Sequence, residues 1–139
     1  MDGCIFCKII NKEIPNHTVY EDENFLAFLD INPAGRHMGH TLLITKKHFS
    51  NRIEELDDSL VKEYFIVMKK IVPAIRKVAG VEAVNILQNS GKEAGQLLDH
   101  FHFHIIPRGE GDGIRLDENR QHNAKGLSEV AEKIKAEIK

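Results

Sequence analysis

The chain has 139 residues, 42% apolar and 29% charged, with a formal net charge of −2, which fits one soluble globular domain with a core of its own. So small a net charge gives no electrostatic case for binding duplex nucleic acid, which calls for a basic surface; a single nucleotide needs only a local anion site. No apolar run approaches the roughly 20 residues that span a bilayer, and Met1-Asp2-Gly3-Cys4 lacks the basic start and apolar stretch of a signal peptide.

Cys4 to Ile10 is a short apolar stretch ended by Lys12-Glu13-Ile14-Pro15, because the residue before proline is pushed out of helix. Val19-Tyr20-Glu21 and Phe25-Leu26-Ala27-Phe28-Leu29 read as two strands, joined through Asp22-Glu23-Asn24 as a hairpin. Asn32-Pro33-Ala34-Gly35 opens a loop of turn residues, and His40 to Thr45 reads as a third strand. From Asp58 the period changes: Leu60, Val61, Tyr64, Phe65, Met68, Ile71, Val72, Ile75 and Val78 recur at three and four. That spacing predicts an amphipathic helix, capped by Asp57 or Asp58 and stopped by Gly80, with Pro73 kinking it. Val84 to Asn89 is a fourth strand, Ser90 to Gly95 a loop, and His100 to Ile106 a fifth strand closed by Pro107. Ser128 to Ile138 is a short helix with Val130, Ile134 and Ile138 on one stripe, after a polar, irregular stretch from Arg108 to Gly126. The pattern is one α+β domain with a mainly antiparallel sheet, residues 109–139 forming a C-terminal extension.

Chemistry concentrates in His100-Phe101-His102-Phe103-His104. Side chains alternate along a strand, so the three histidines share one face while Phe101, Phe103 and Ile105 can enter the core. A solvent-facing polar strand would as well use Thr, Lys or Glu. His100 and His104 would stand about 13 Å apart along a strand, too far to share one ion. Adjacent pairs could share one only with rotation of their rings, and the favoured reading is a reacting imidazole, His102, with a histidine at either hand. A neutral imidazole offers a lone pair near pH 7, and covalent catalysis splits one displacement into two easier ones. The product would be a phosphoramidate on His102, with His104 donating to phosphoryl oxygens as charge builds. Upstream, Asn89, Gly95 and Gln96 suit an anion, since glycine lets backbone approach and the amides are uncharged donors. His40 could face the same site. His17, His37 and His122 lie in turn-like surroundings and read as solvent-exposed.

These residues resemble the histidine triad hydrolases and transferases, in particular the Hint-like branch. The marks are Cys4-Ile5-Phe6-Cys7-Lys8-Ile9-Ile10, Leu26-Ala27-Phe28-Leu29-Asp30-Ile31, Gly39-His40-Thr41-Leu42-Leu43-Ile44, Lys46-Lys47-His48, and Gly95-Gln96 before His100-Phe101-His102-Phe103-His104-Ile105-Ile106-Pro107-Arg108. The resemblance implies a two-layer α+β fold with a five-stranded antiparallel sheet, one long helix and a C-terminal helix, usually as a homodimer. It implies hydrolysis or transfer at the α-phosphate of purine nucleotide conjugates, such as adenosine phosphoramidates or dinucleoside polyphosphates. By position, His102 is the nucleophile, His104 and Asn89 contact phosphate, and His40 supports the nucleophile, with His100 completing the catalytic row. Asp30 would bind the ribose hydroxyls, and Phe6, Ile9, Ile14, Phe28 and Ile31 would wall the base; read alone, those apolar residues are plain core. Departures are Leu97, where relatives often carry serine near the leaving group, a loop between Asp30 and His40 about two residues longer, and Thr45 in place of a common proline.

Cys4 and Cys7 have the spacing of half a zinc site, and tetrahedral zinc needs four ligands. His48 and His100 are the candidates for the other half, as in relatives with a Cys-Cys-His-His zinc. Such a zinc would be structural. The alternatives are two small buried apolar residues or a redox pair without the usual βαβ context. A cytoplasmic location, where thiols stay reduced, disfavours a disulfide. Against the enzyme stands a second function, a nucleotide- or zinc-binding regulatory module with little turnover, which Leu97 favours because leucine donates no hydrogen bond to a leaving group. The helix stripe from Leu60 to Val78 reads as core or as a dimer contact.

Overall fold

Five strands make one antiparallel sheet: β1 (Thr18–Glu21), β2 (Phe25–Leu29), β3 (Thr41–Thr45), β4 (Ala83–Leu87) and β5 (His102–Arg108), in the order β1-β2-β3-β5-β4. Helices α1 (Ile5–Ile10), α2 (Asp58–Ala79) and α3 (Leu127–Glu137) complete the α+β fold of the computed structural model, which describes residues 3–113 and 124–138. Every residue of β2 and β3 is buried, because both faces of these strands are covered. Phe25, Ala27, Leu29, Leu43, Phe103 and Ile105 pack under α2 and α3, against Tyr64, Met68, Ile71, Ile75 and Ile134. On the opposite face Leu26, Phe28, Leu42 and Ile44 meet Phe6 and Ile9 of α1. The period of two thus sorts each strand between two cores.

The apolar stretch after Cys4 is a helical turn and a half, with the Cys4 sulfur accepting from the Cys7 N–H at 3.4 Å as its N-cap. Helix α2 begins and ends where its capping signals stand. Asp57 makes no side-chain cap bond, and Gly80 closes the helix in the left-handed conformation (φ 71°), donating to the carbonyls of Arg76 and Lys77. Pro73 lies inside α2 on its exposed side, where water can take the carbonyl its missing N–H leaves behind.

Strand boundaries differ from expectation by one residue at the starts of β1, β3 and β4, and by two residues at the end of β4 and at both ends of β5. β4 stops at Leu87, leaving Asn89 in the following loop. β5 starts at His102, runs through Pro107 and ends at Arg108. Pairing with β3 begins only at Ile44 opposite His102, and the Phe101 N–H goes to the Phe49 carbonyl at 2.9 Å instead. His100 therefore lies outside the ladder. At the far end β3 pairs no further than Ile105, so Pro107 sits where one edge of the strand has no partner, the position a residue without N–H tolerates.

The apolar stripe of α2 is packed on its own sheet rather than left for a second copy: Tyr64, Met68, Ile71 and Ile75 are buried, and Phe65 and Ile66 are what remain exposed. In α3 the buried set is Leu127, Ala131 and Ile134, with Val130 and Ile138 only partly covered. Among the described residues no helix is long and apolar enough to cross a membrane. Because Ile134 is fully buried between α2 and the sheet, Ile134→Ala should lower folding stability by about 2–5 kcal/mol. Urea denaturation measures it; a midpoint unchanged from the parent would mean that α3 adds nothing to the core.

Candidate active site

His102 is 4% exposed, and its Nδ1–H donates to the His100 carbonyl at 2.6 Å. A neutral imidazole carries one proton, so Nε2 keeps its lone pair. Burial pushes the pKa of His102 below that of a free histidine, against the His100 carbonyl and the Asp30 charge, which favour protonation. The ring has His104 on one side, centroids 5.0 Å apart, and Phe6 on the other at 5.2 Å. The expected neighbour on that second side, His100, is turned away, and Phe6 contacts both rings.

His104 is oriented from behind. The Ala34 N–H donates to Nδ1 of the buried His40 at 2.9 Å, which leaves the His40 proton on Nε2. That nitrogen lies 2.9 Å from Nδ1 of His104, so His104 accepts at Nδ1 and carries its own proton on Nε2. Asp30 stands alongside, its Oδ2 3.8 Å from His40 Nε2 and its Oδ1 accepting from the Asn32 N–H at 2.8 Å. Asp30, His40 and His104 bring three ligand-type atoms within 4.8 Å of one another. Yet His40 would have to give up the proton its own backbone bond fixes on Nε2 before that atom could bind a cation. The arrangement is a chain of hydrogen bonds, not a metal cage.

His102 and His104 line a cavity of about 790 Å³. On one side of them stand Phe6, Asp30, Asn32 and Leu42; on the other stand Leu87, Asn89, Ala94, Gly95, Leu97 and Leu98, with Ile106 on β5. Of the predicted base wall, Phe6 lines the cavity, Ile9 and Phe28 are buried behind it, and Ile14 packs on that cluster. Ile31 is 61% exposed and outside the lining. Gln96 braces its loop, its side-chain oxygen accepting from the Gly91 N–H at 2.8 Å. Gly95 adopts φ 92°, and a Cβ there would stand 3.4 Å from the Asn89 amide nitrogen. Leu42, Leu87 and Ile106 escaped the sequence analysis. Their signal is register: Leu42 and Leu87 both lie opposite His104, hence on its face. His17 and His37 are half-buried rather than exposed. His37 packs so closely on Gly109 that any side chain there would collide with it, which anchors the long loop to the end of β5. His122 lies outside the described residues.

A second cluster adjoins the cavity. Cys4 Sγ lies 3.4 Å from His100 Nδ1, and Cys7 Sγ lies 3.4 Å from His48 Nδ1 and 3.6 Å from His100 Nδ1. All four ligand atoms fall within 4.8 Å of one another. Ligand bonds of about 2.3 Å to sulfur and 2.0 Å to nitrogen put tetrahedral S and N about 3.5 Å apart, so these residues fit zinc as they stand. His100 Nε2–H donates to the Thr45 carbonyl at 2.6 Å, which aims the Nδ1 lone pair at the thiols, the outer-shell arrangement of a metal-bound histidine. Burial pushes the His100 pKa down to about 4, keeping it neutral. Burial and the neighbouring Cys4 thiol raise that of Cys7, a shift a bound cation would reverse. With both nitrogens engaged here, His100 stands outside the cavity lining, apart from His102 and His104.

A family model described as the HIT domain matches residues 11–111. The chain is 49% identical over 132 residues to an uncharacterised HIT-like protein of Methanocaldococcus jannaschii, spanning 95% of this chain and 98% of that one. It is 44% identical over 106 residues to an adenosine 5'-monophosphoramidase of Schizosaccharomyces pombe, spanning 76% of this chain and 74% of that one. The crystal structure of a zinc-bound histidine triad family protein from Mycobacterium smegmatis matches with a TM-score of 0.83 at 32% identity, over 97% of this chain and 92% of that one.

The bonding pattern predicts distinct tautomers. At pH 7.5, long-range ¹⁵N–¹H correlation spectra should show His102 protonated at Nδ1 and His104 at Nε2. The reverse assignment for either ring would contradict the hydrogen-bond chain described above.

Proposed function

The chain belongs to the HIT domain family, within its Hint-like branch, and from that membership and the cavity's geometry we propose that it is a nucleotide hydrolase or nucleotidyl transferase acting at the α-phosphate of a purine nucleotide conjugate, such as an adenosine phosphoramidate or a dinucleoside polyphosphate. The observation that carries the reading is the His102 Nδ1–H bond to the His100 carbonyl, which leaves a neutral Nε2 lone pair in the cavity beside an N–H of His104. In the first step Nε2 attacks the α-phosphorus of a phosphoramidate. The bond from phosphorus to the amine breaks, its electron pair leaves with nitrogen, and nitrogen takes up a proton. In the second step water attacks the phosphorus, the pair of the P–Nε2 bond returns to His102, and the nucleoside monophosphate departs. His104 donates to a non-bridging phosphoryl oxygen through both steps, where charge is greatest. Asn89 lies across the cavity as an uncharged donor, and Gly95 beside it has no side chain to block approach. Asp30 accepts from the ribose hydroxyls, and Phe6, backed by Ile9, Phe28 and Ile14, offers the base a flat apolar wall.

His102→Ala should abolish release of AMP from an adenosine phosphoramidate, lowering kcat by several powers of ten, while AMP binding by calorimetry persists. Each factor of ten corresponds to about 1.4 kcal/mol of barrier. Turnover near the parent value in this variant would exclude a covalent mechanism on His102.

Cys4, Cys7, His48 and His100 form a structural zinc site in this reading, supported by their spacing and the His100 tautomer. Reduced thiols of this kind suit a cytoplasmic protein. Exposed Phe65, Ile66 and Ile86 support a homodimer that covers them. Elemental analysis of protein purified without chelator should give one zinc per chain, and chelation should lower the Tm, since metal binding to such a site is folding free energy. A Tm indifferent to both zinc and chelator would leave the cysteines as apolar packing.

A further inference from the structure

The cavity divides along β5. Asp30 stands on the β2–β3 side, so a nucleoside held there leaves the β4 side to the group that departs from phosphorus; this step rests on the hydrolase reading above. Five side chains on that side are apolar: Leu87, Ala94, Leu97, Leu98 and Ile106. Asn89 is the polar one among the described residues, and its amide packs on Gly95. No cation, carboxylate or hydroxyl of the described residues lines this half.

Leu97 is 83% exposed and Leu98 38%, yet their backbone is held on both sides. Gln96 is tied to Gly91 twice, its N–H donating to the Gly91 carbonyl at 3.1 Å and its side-chain oxygen accepting from the Gly91 N–H at 2.8 Å. The Leu98 carbonyl accepts from the Asn51 side chain, and the Asn51 carbonyl accepts from Gln88. A single exposed leucine on a surface needs no explanation. A leucine fixed between two pinned residues, at the rim of an apolar half-cavity, has a defined place to receive a ligand.

We propose that the β4 side of the cavity is a leaving-group subsite for an apolar amine, and that Leu97 is a specificity-determining residue within it. Nucleotide phosphoramidates whose nitrogen bears an arylalkyl or branched alkyl group are the preferred substrates. Such a group covers Leu97 and Leu98 and removes their apolar surface from water. A sulfate or phosphate leaving group would instead lose hydration there, with no cation among the described lining residues to meet it. An unsubstituted amide would leave the subsite empty. The amine departs with the electron pair of its bond to phosphorus and takes up a proton, as in the first step above, so the subsite handles only its side group.

The test measures kcat/KM for AMP release by the full chain and by Leu97→Ser. The substrates are four AMP conjugates: the unsubstituted phosphoramidate, a benzylamine phosphoramidate, adenylyl sulfate and a diadenosine polyphosphate. The benzylamine conjugate should exceed the other three by at least about tenfold, the discrimination a small apolar contact supplies. Leu97→Ser should cut its advantage over the unsubstituted amide severalfold, with the Tm unmoved because the side chain is exposed. Equal or reversed preference, or a ratio that Leu97→Ser does not change, overturns the subsite and leaves the hydrolase standing. AMP from none of the four overturns the hydrolase reading and the subsite with it.

Discussion

Whatever holds one nitrogen of a neutral imidazole decides what the other can do, because the ring has two nitrogens and one proton. Here backbone groups make that decision for three histidines. The Thr45 carbonyl holds Nε2–H of His100, the His100 carbonyl holds Nδ1–H of His102, and the Ala34 N–H holds Nδ1 of His40. The outward nitrogens follow: a lone pair aimed at two thiols, a lone pair aimed into the cavity, and a proton passed along to orient His104. Each backbone group is free for this because it lies at or beyond the end of the ladder. Thr45 is the last residue of β3, His100 precedes β5, and Ala34 belongs to the loop before β3. The late start of β5 is therefore part of the site. Extended through His100, the strand would turn that carbonyl toward the β4 edge instead of to the His102 ring.

Burial makes these bonds consequential. His100, His40 and His102 are 0%, 1% and 4% exposed. An orphaned polar group at such depth would cost about 1–3 kcal/mol, and a charged one more. The same burial that demands the hydrogen bonds also holds His100 and His102 in the neutral form, which is the form that can bind a metal or attack phosphorus. Two apolar layers supply the burial from opposite sides. The α2 layer packs Phe101, Phe103 and Ile105, the alternate residues of the histidine segment, and the α1 layer lays Phe6 against His100 and His102.

Local periodicity made much of this visible in the sequence. The β1–β2 hairpin, the limits of α2 at Asp57 and Gly80, and the alternation of histidine with apolar residues are patterns a few residues long, and a short window contains them. Asp30 acquired a role through family resemblance, since nothing local distinguishes it from other acidic turn residues. What stayed hidden depends on register and on rotation about single bonds. Leu42 and Leu87 reach the cavity because both face His104 across neighbouring strands, and pairing between segments this distant is not written in either alone. The interposition of Phe6, the bracing role of Gln96 and the outward turn of Ile31 each depend on how a loop or helix end is seated. A strand model drawn through His100 likewise assumed pairing that β3 is too short to supply.

His100 shows how two sites can share one residue without sharing its chemistry. It acts on His102 through its carbonyl and on the thiols through its ring. Every amino acid has the carbonyl, so the His102 tautomer puts no demand on the side chain at this position. The demand comes from the cysteine pair, which needs a nitrogen lone pair, and from the Thr45 carbonyl, which needs a donor on the opposite edge of the same ring. Neutral histidine supplies both at once. The first histidine of the run therefore belongs to the N-terminal cluster by its side chain and to the histidine strand by its backbone. Seating its ring against Cys4 and Cys7 fixes the carbonyl that His102 depends on, so the cluster and the His102 ring are joined through a single residue.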